Sequence, residues 1–141
     1  MQDDARIAAA FDRFYEAFRR LTPREELSLT AASTLRRLER SGPQRLSELF
    51  GPEGITQPAM TQLITRLEKD GLAARGGDPA DGRVVVVRIT DAGRAAVARR
   101  RDGRARALSE VLQRLAPEDR AALVAAVPAL ERLSDLIIDG S

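Results

Sequence analysis

Between residues 56 and 90 the apolar side chains change period, and this constrains the fold more than any other feature of the chain. In TQPAMTQLITRLEKDG, Met60, Leu63, Ile64 and Leu67 recur at i, i+3, i+4 and i+7, one face of a helix whose other sides are polar. Thr56 is a suitable N-cap, Pro58 is tolerated in the first turn, and Gly71 stops the helix. Beyond it the extended runs LAAR (72–75) and RVVVVRIT (83–90) flank GGDPADG (76–82). β-Branched residues around a Gly/Pro/Asp tip predict a hairpin with a seven-residue tip.

The flanks read as helices. Ile7, Phe11, Phe14, Phe18 and Leu21 make a one-sided stripe over residues 5–21, ended by Thr22-Pro23. A second helix starts near Ser28 or Thr30, turns Ala32, Leu35 and Leu38 inward, and stops at Ser41-Gly42-Pro43. A short helix is expected at residues 44–50 on Leu46, Leu49 and Phe50, then a turn at GPEG (51–54). After the hairpin, Thr90 or Asp91 caps a long helix whose weak point is Gly103. Ala116-Pro117-Glu118 opens a last helix with Leu123, Val127, Leu130, Leu133 and Ile137 on one side and a kink at Pro128. The expected fold is mainly α with a small two-stranded β-hairpin wing, in the order α-α-α-α-β-β-α-α. We expect a single domain, 1–141, with a winged helix-turn-helix lobe at 28–104 and a helical dimerisation region at 1–27 and 105–141.

The chain has no Cys and no His. That excludes disulfides, thiol redox sensing and the usual transition-metal ligands, and removes the commonest general base near neutral pH. No GxSxG, GxxxxGK[ST] or GxGxxG is present, so no enzyme, no cofactor and no metal is expected. No apolar run approaches membrane-spanning length, and the first residues lack the basic n-region of a signal peptide. A cytoplasmic protein without membrane contact is the expectation. Net charge is only +2, but residues 43–104 carry 11 basic and 8 acidic side chains, whereas 105–141 carry 4 and 6. All but one of the basic residues are Arg, which suits phosphate and base-edge contacts and equally suits a GC-rich genome.

Two helices joined by a tight turn form a helix-turn-helix, whose second helix enters the major groove of double-stranded DNA. Residues 56–67 have the inward stripe and the outward hydrogen-bonding face that such a helix needs. Gln pairs with adenine, Arg with guanine, and Thr meets a phosphate or a thymine methyl. The residues expected at DNA are Thr56, Gln57, Pro58, Ala59, Thr61, Gln62, Thr65 and Arg66. On the wing, Arg83 is expected in the minor groove with Asp81 orienting it along one strand. An amphipathic surface helix and a solvated turn are the plainer readings of the same residues. Arg99, Arg100, Arg101, Arg104 and Arg106 read as a solvated face of the long helix in preference to a set of phosphate contacts.

The run GITQPAMTQLITRLEKDGLAAR, followed by DPADGRVVVVRITDAGR, resembles the MarR family of bacterial transcriptional regulators. The family's Gly-apolar-Ser/Thr-Gln-Pro start corresponds to residues 54–58, its Leu-Glu-x-x-Gly-Leu exit to 67–72, its Asp-x-Arg wing to 81–83, and its Leu-Thr-x-x-Gly start to 89–93. Ile89 stands where Leu is usual, and the turn before the recognition helix is longer. The resemblance implies a homodimer built from the first helix and the two after the hairpin, to which the stripes at 11–21, 108–115 and 123–137 are suited. Its recognition helices would lie about one DNA turn, ~34 Å, apart on a pseudo-palindromic operator. The resemblance also implies a repressor released by a small aromatic or phenolic ligand bound between dimer region and DNA lobe, sought near Phe11, Phe14, Tyr15 and Phe18. An aromatic stripe at helical spacing is more usually core.

Two rivals come from other classes. A winged-helix adaptor would bind proteins without specific DNA contacts and would be indifferent to Arg83. A carboxylate-dependent enzyme would need a concave site holding paired acids, which the sequence does not suggest.

Overall fold

The computed structural model describes residues 1–21, 27–50 and 54–140. The stop at Thr22-Pro23 and residues 51–53 of the longer turn lie outside them. In chain order the elements are α1 (Gln2–Leu21), α2 (Leu29–Ser41), β1 (Gln44–Arg45), a 3-10 turn (Leu46–Glu48), α3 (Gln57–Lys69), β2 (Ala73–Gly77), β3 (Val85–Ile89), α4 (Asp91–Leu112) and α5 (Pro117–Asp139). The chain is mainly helical with a small antiparallel sheet. It divides into two compact units, Met1–Pro23 with Gly103–Ser141, and Arg24–Asp102.

The central unit holds the core. Leu35 and Leu38 of α2, Leu49, and Met60, Ile64 and Leu67 of α3 are almost wholly buried with Val87 of β3. Ala73, Ile89, Ala96 and Val97 close the same cluster. The helix starts follow capping chemistry: Ser28 accepts the Ala31 N–H at 3.1 Å, and Thr56 accepts the Ala59 N–H at 3.4 Å. Gly71 ends the turn after α3 at φ +75°, where a side chain would be strained.

The stretch expected as a short helix at 44–50 instead begins as a strand. Gly42, at φ +75°, and Pro43 turn the chain out of α2 in extended form. Gln44 and Arg45 then pair with Val87 and Val86, so β3 is the middle of a three-stranded sheet ordered β1-β3-β2. Only one 3-10 turn remains. So short a run gains too few helical bonds to compete with an open sheet edge.

The hairpin also differs in register from expectation. β2 runs on to Gly77 and β3 starts only at Val85, with Ala73 opposite Ile89 and Gly77 opposite Val85. Gly76 and Gly77, expected in the tip, are therefore strand residues, while Gly82 and Arg83 lie in the turn.

Thr90 fastens the next helix. Its hydroxyl donates to the Gly71 carbonyl at 2.6 Å and accepts the Gly93 N–H at 3.1 Å, joining the α3 exit to the α4 start. Thr90→Val is expected to lower stability by about 1–2 kcal/mol, through the lost cap and the stranded carbonyl. An unchanged thermal melting curve would refute this. Arg100 departs from the expected solvated face: it is 7% exposed, whereas Arg99, Arg101 and Arg106 face solvent. At 100° per residue a helix cannot keep a continuous arginine run on one side.

The terminal unit is built differently. Neither α1 nor α5 contains a buried residue. Ile7, Phe11, Phe14 and Tyr15 of α1 and Leu123, Val127, Leu130, Leu133 and Ile137 of α5 are all exposed. α5 continues through Pro128, which takes one donor out of its ladder.

Candidate nucleic-acid interface

α3 buries Met60, Leu63, Ile64 and Leu67 and leaves its opposite side outward. Thr56, Gln57, Pro58, Ala59, Gln62, Thr65 and Arg66 are exposed, and Thr61 is half-buried. The expected helix residues therefore gather on one accessible surface, with Thr56 and Pro58 at its N-terminal end. Two of the side chains carry a constraint that sequence alone did not reveal. Thr61 Oγ1 donates to the Gln57 carbonyl and Thr65 Oγ1 to the Thr61 carbonyl, both at 2.9 Å. A hydroxyl has a single hydrogen to donate, so these two offer lone pairs and methyl groups outward, not a donor for a phosphate. Gln57, Gln62 and Arg66 keep the groups that read base edges.

The wing is held by its aspartates. Asp78 donates its N–H to the Val84 carbonyl at 3.0 Å, while Asp78 Oδ1 accepts the Ala80 N–H at 2.8 Å. Asp81 Oδ1 accepts the backbone N–H of Arg83 at 3.1 Å, and the Val84 N–H reaches the Asp81 carbonyl at 3.0 Å. Asp81 thus fixes the main chain of Arg83, not its guanidinium, because the two sit in a turn where an Asx bond closes over two residues. Arg83 is exposed at the tip.

Two further arginines pair with residues of α3 and the wing, and no local sequence pattern marks them. Arg45 of β1 pairs with Asp78 at 3.2 Å, tying the base of the wing to the edge strand β1. Arg75 of β2 donates to Thr65 Oγ1 at 2.7 Å and lies 3.7 Å from Glu68. The i, i+3 spacing of Thr65 and Glu68 signals one shared helical face, but their partner depends on how β2 crosses α3.

The four aromatic residues of the expected ligand site, Phe11, Phe14, Tyr15 and Phe18, lie in the other unit. Phe14 and Phe18 stack with ring centroids 5.5 Å apart, the Arg104 guanidinium sits 5.2 Å over Phe18, and Arg19 sits 5.8 Å over Tyr15. A shallow apolar hollow on α1 is lined by Ala9, Ala10, Arg13, Phe14 and Ala17. Phe14 alone of the four aromatic residues lines it.

A helix with a readable outer face, followed by a hairpin that projects an arginine, defines a winged helix-turn-helix protein. The MarR family model matches residues 27–85. An HTH-type transcriptional regulator of Mycobacterium bovis is 30% identical over 139 residues, covering 96% of this chain and 97% of the relative. The chain belongs to the MarR family of transcriptional regulators. Among solved structures, the transcriptional regulator Tm0710 of Thermotoga maritima shares the fold at TM-score 0.74 and 22% identity, covering 99% of both chains. Bordetella bronchiseptica BpsR, whose DNA binding is regulated by 6-hydroxynicotinic acid, matches at TM-score 0.60 and 27% identity, covering 94% of this chain and 92% of BpsR.

Proposed function

We propose that the protein is a homodimeric repressor that binds a pseudo-palindromic operator, with α3 in the major groove and Arg83 in the flanking minor groove. The observation that carries this reading is the polar outer face of α3 beside an arginine whose backbone is pre-set by Asp81. Gln57, Gln62 and Arg66 read base edges, Ala59, Thr61 and Thr65 meet thymine methyls, and Thr56 and Pro58 set the helix end against the backbone. The uncovered stripes of α1 and α5 support a dimer, and repression follows if the operator overlaps a promoter. No helix among the described residues is long and apolar enough to cross a membrane, consistent with a cytoplasmic regulator.

The test is fluorescence anisotropy with the duplex upstream of the protein's own gene beside random duplex. Strong preference for the former, weakening with salt, is expected. Equal weak binding to both would leave the adaptor reading in its place. Arg83→Ala is expected to weaken the specific complex by about 1–3 kcal/mol. Unchanged affinity would take the wing out of the interface.

A second reading concerns release. Arg104 over Phe18, with Arg104 Nε buried and lacking a hydrogen-bond partner among the described residues, supports an aromatic acid as effector. The regulation of BpsR by an aromatic acid points the same way. Titrating 6-hydroxynicotinic acid and salicylate into the protein–DNA complex is expected to lower the anisotropy. No response to either would refute an aromatic-acid effector of this kind.

A further inference from the structure

Arg75 stands in β2, on the strand that leads from α3 into the wing, and three contacts fasten it to α3. Its Nη2 donates to Thr65 Oγ1 at 2.7 Å, and its Nε lies 3.7 Å from Glu68 Oε2. The same carboxylate oxygen accepts the Arg75 backbone N–H at 3.2 Å. Thr65 has already given its hydrogen to the Thr61 carbonyl, so a lone pair is what it presents to the guanidinium. An arginine is thereby held in one orientation against the recognition helix.

The clamp is not a buried staple. The Arg75 side chain is one-third exposed and that of Glu68 44% exposed. Ion pairs this open to solvent add little to stability. A guanidinium carries five N–H donors, and among the described residues neither hydrogen of Nη1 has a partner. What remains is a planar cation, pre-oriented beside the outward face of α3, with one edge free.

We propose that Arg75 is a phosphate-contacting residue of the DNA interface, pre-set by Thr65 and Glu68 so that its free edge meets the backbone beside the groove that α3 enters. The proposal rests on the DNA-binding reading above and deepens it. The planar fork of arginine matches two phosphate oxygens, a contact that adds affinity without sequence information. Thr65 then acts as a positioning residue for Arg75 in addition to meeting the groove. Because Glu68 holds both the main chain and the guanidinium of Arg75, the clamp also sets the angle of α3 to the wing strand.

The test compares wild type, Arg75→Gln and Arg75→Lys by anisotropy on a random 25-base-pair duplex and on the upstream duplex, over a series of salt concentrations. Arg75→Gln is expected to reduce the slope of log K against log salt by about 0.9 on both duplexes, as for one lost phosphate contact. The preference for the upstream duplex should stay within about twofold, since phosphates carry no sequence information. Arg75→Lys retains the charge and should retain the slope. An unchanged slope in Arg75→Gln overturns the proposal. So does a changed preference at constant slope, which would make Arg75 a base reader.

Should Arg75→Gln fail to fold by circular dichroism, Thr65→Val decides. It leaves the charge but removes its anchor, and it is expected to weaken both duplexes several-fold at constant slope. Unaltered affinity there would overturn the proposal equally. A wild-type protein with no preference for the upstream duplex would refute sequence-specific regulation, while the slope on random duplex still judges Arg75 by itself.

Discussion

Gly93→Ala is expected to destabilise the central unit by about 3 kcal/mol, the upper end of the usual cost of overpacking, and to lower the melting temperature by roughly 10 °C. In an ordinary helix this substitution stabilises, because glycine is the poorer helix former by about 1 kcal/mol. Here the sign reverses. A Cβ on Gly93 would lie 2.1 Å from the Leu72 carbonyl oxygen and 2.7 Å from Ile89 Cγ1. The first of these is backbone, held in place by the Thr90 N–H at 3.2 Å, and it cannot swing aside as a side chain would. Relief therefore requires α4 to move off the exit of α3 and the end of β3. Thermal melting followed by circular dichroism checks the expectation, and an unchanged or raised melting temperature would refute it. Residual DNA affinity per folded molecule should also fall, because the displaced elements orient α3 and the wing.

Gly93 shows how the sequence conveyed part of this architecture and withheld the rest. Its place in the ITDAG run was legible as the start of a helix, while the contact that demands glycine joins residues 72 and 93, which no local period connects. The same division holds elsewhere. Met60, Leu63, Ile64 and Leu67 are buried as their spacing predicts, because a helix face is a local property of the chain. Gln44 and Arg45 became a strand because β3 offered an edge far along the sequence, and local propensity cannot register a distant partner. The sequence pairs Asp81 with Arg83 as side chains along one strand, whereas in the structure a tight turn brings the Asp81 carboxylate to the Arg83 backbone N–H. Arg75 is illegible in the sequence for the same reason as the strand at Gln44. Its significance comes from Thr65 and Glu68 across a strand–helix contact, and nothing in AARGG announces it.

If the proposed dimer is sealed by α5, Leu133→Asp is expected to yield a monomer and to weaken binding to the upstream duplex by about 10²–10⁴-fold. α1 and α5 present large apolar side chains along one-sided stripes and fully bury none of them, so part of their hydrophobic free energy is unrealised within one copy. Leu133 is 40% exposed, between Leu130 and Ile137 on the same side of α5. A carboxylate there costs little in the isolated chain, where solvent still reaches it. In a seam formed with a second copy it would be desolvated without a partner, twice over, because a two-fold axis repeats the lesion. The effect on DNA follows from linkage of half-sites. When one recognition helix is seated, the second binds as if at a high effective concentration, and a monomer forfeits that multiplication, typically 10²–10⁴-fold. Sedimentation equilibrium gives the mass and anisotropy the affinity, with unchanged helical content by circular dichroism excluding misfolding. A variant that stays dimeric and binds as wild type would move the seam away from α5. A monomer that still binds as wild type would show that one winged helix suffices, and the pseudo-palindromic operator would go with the dimer.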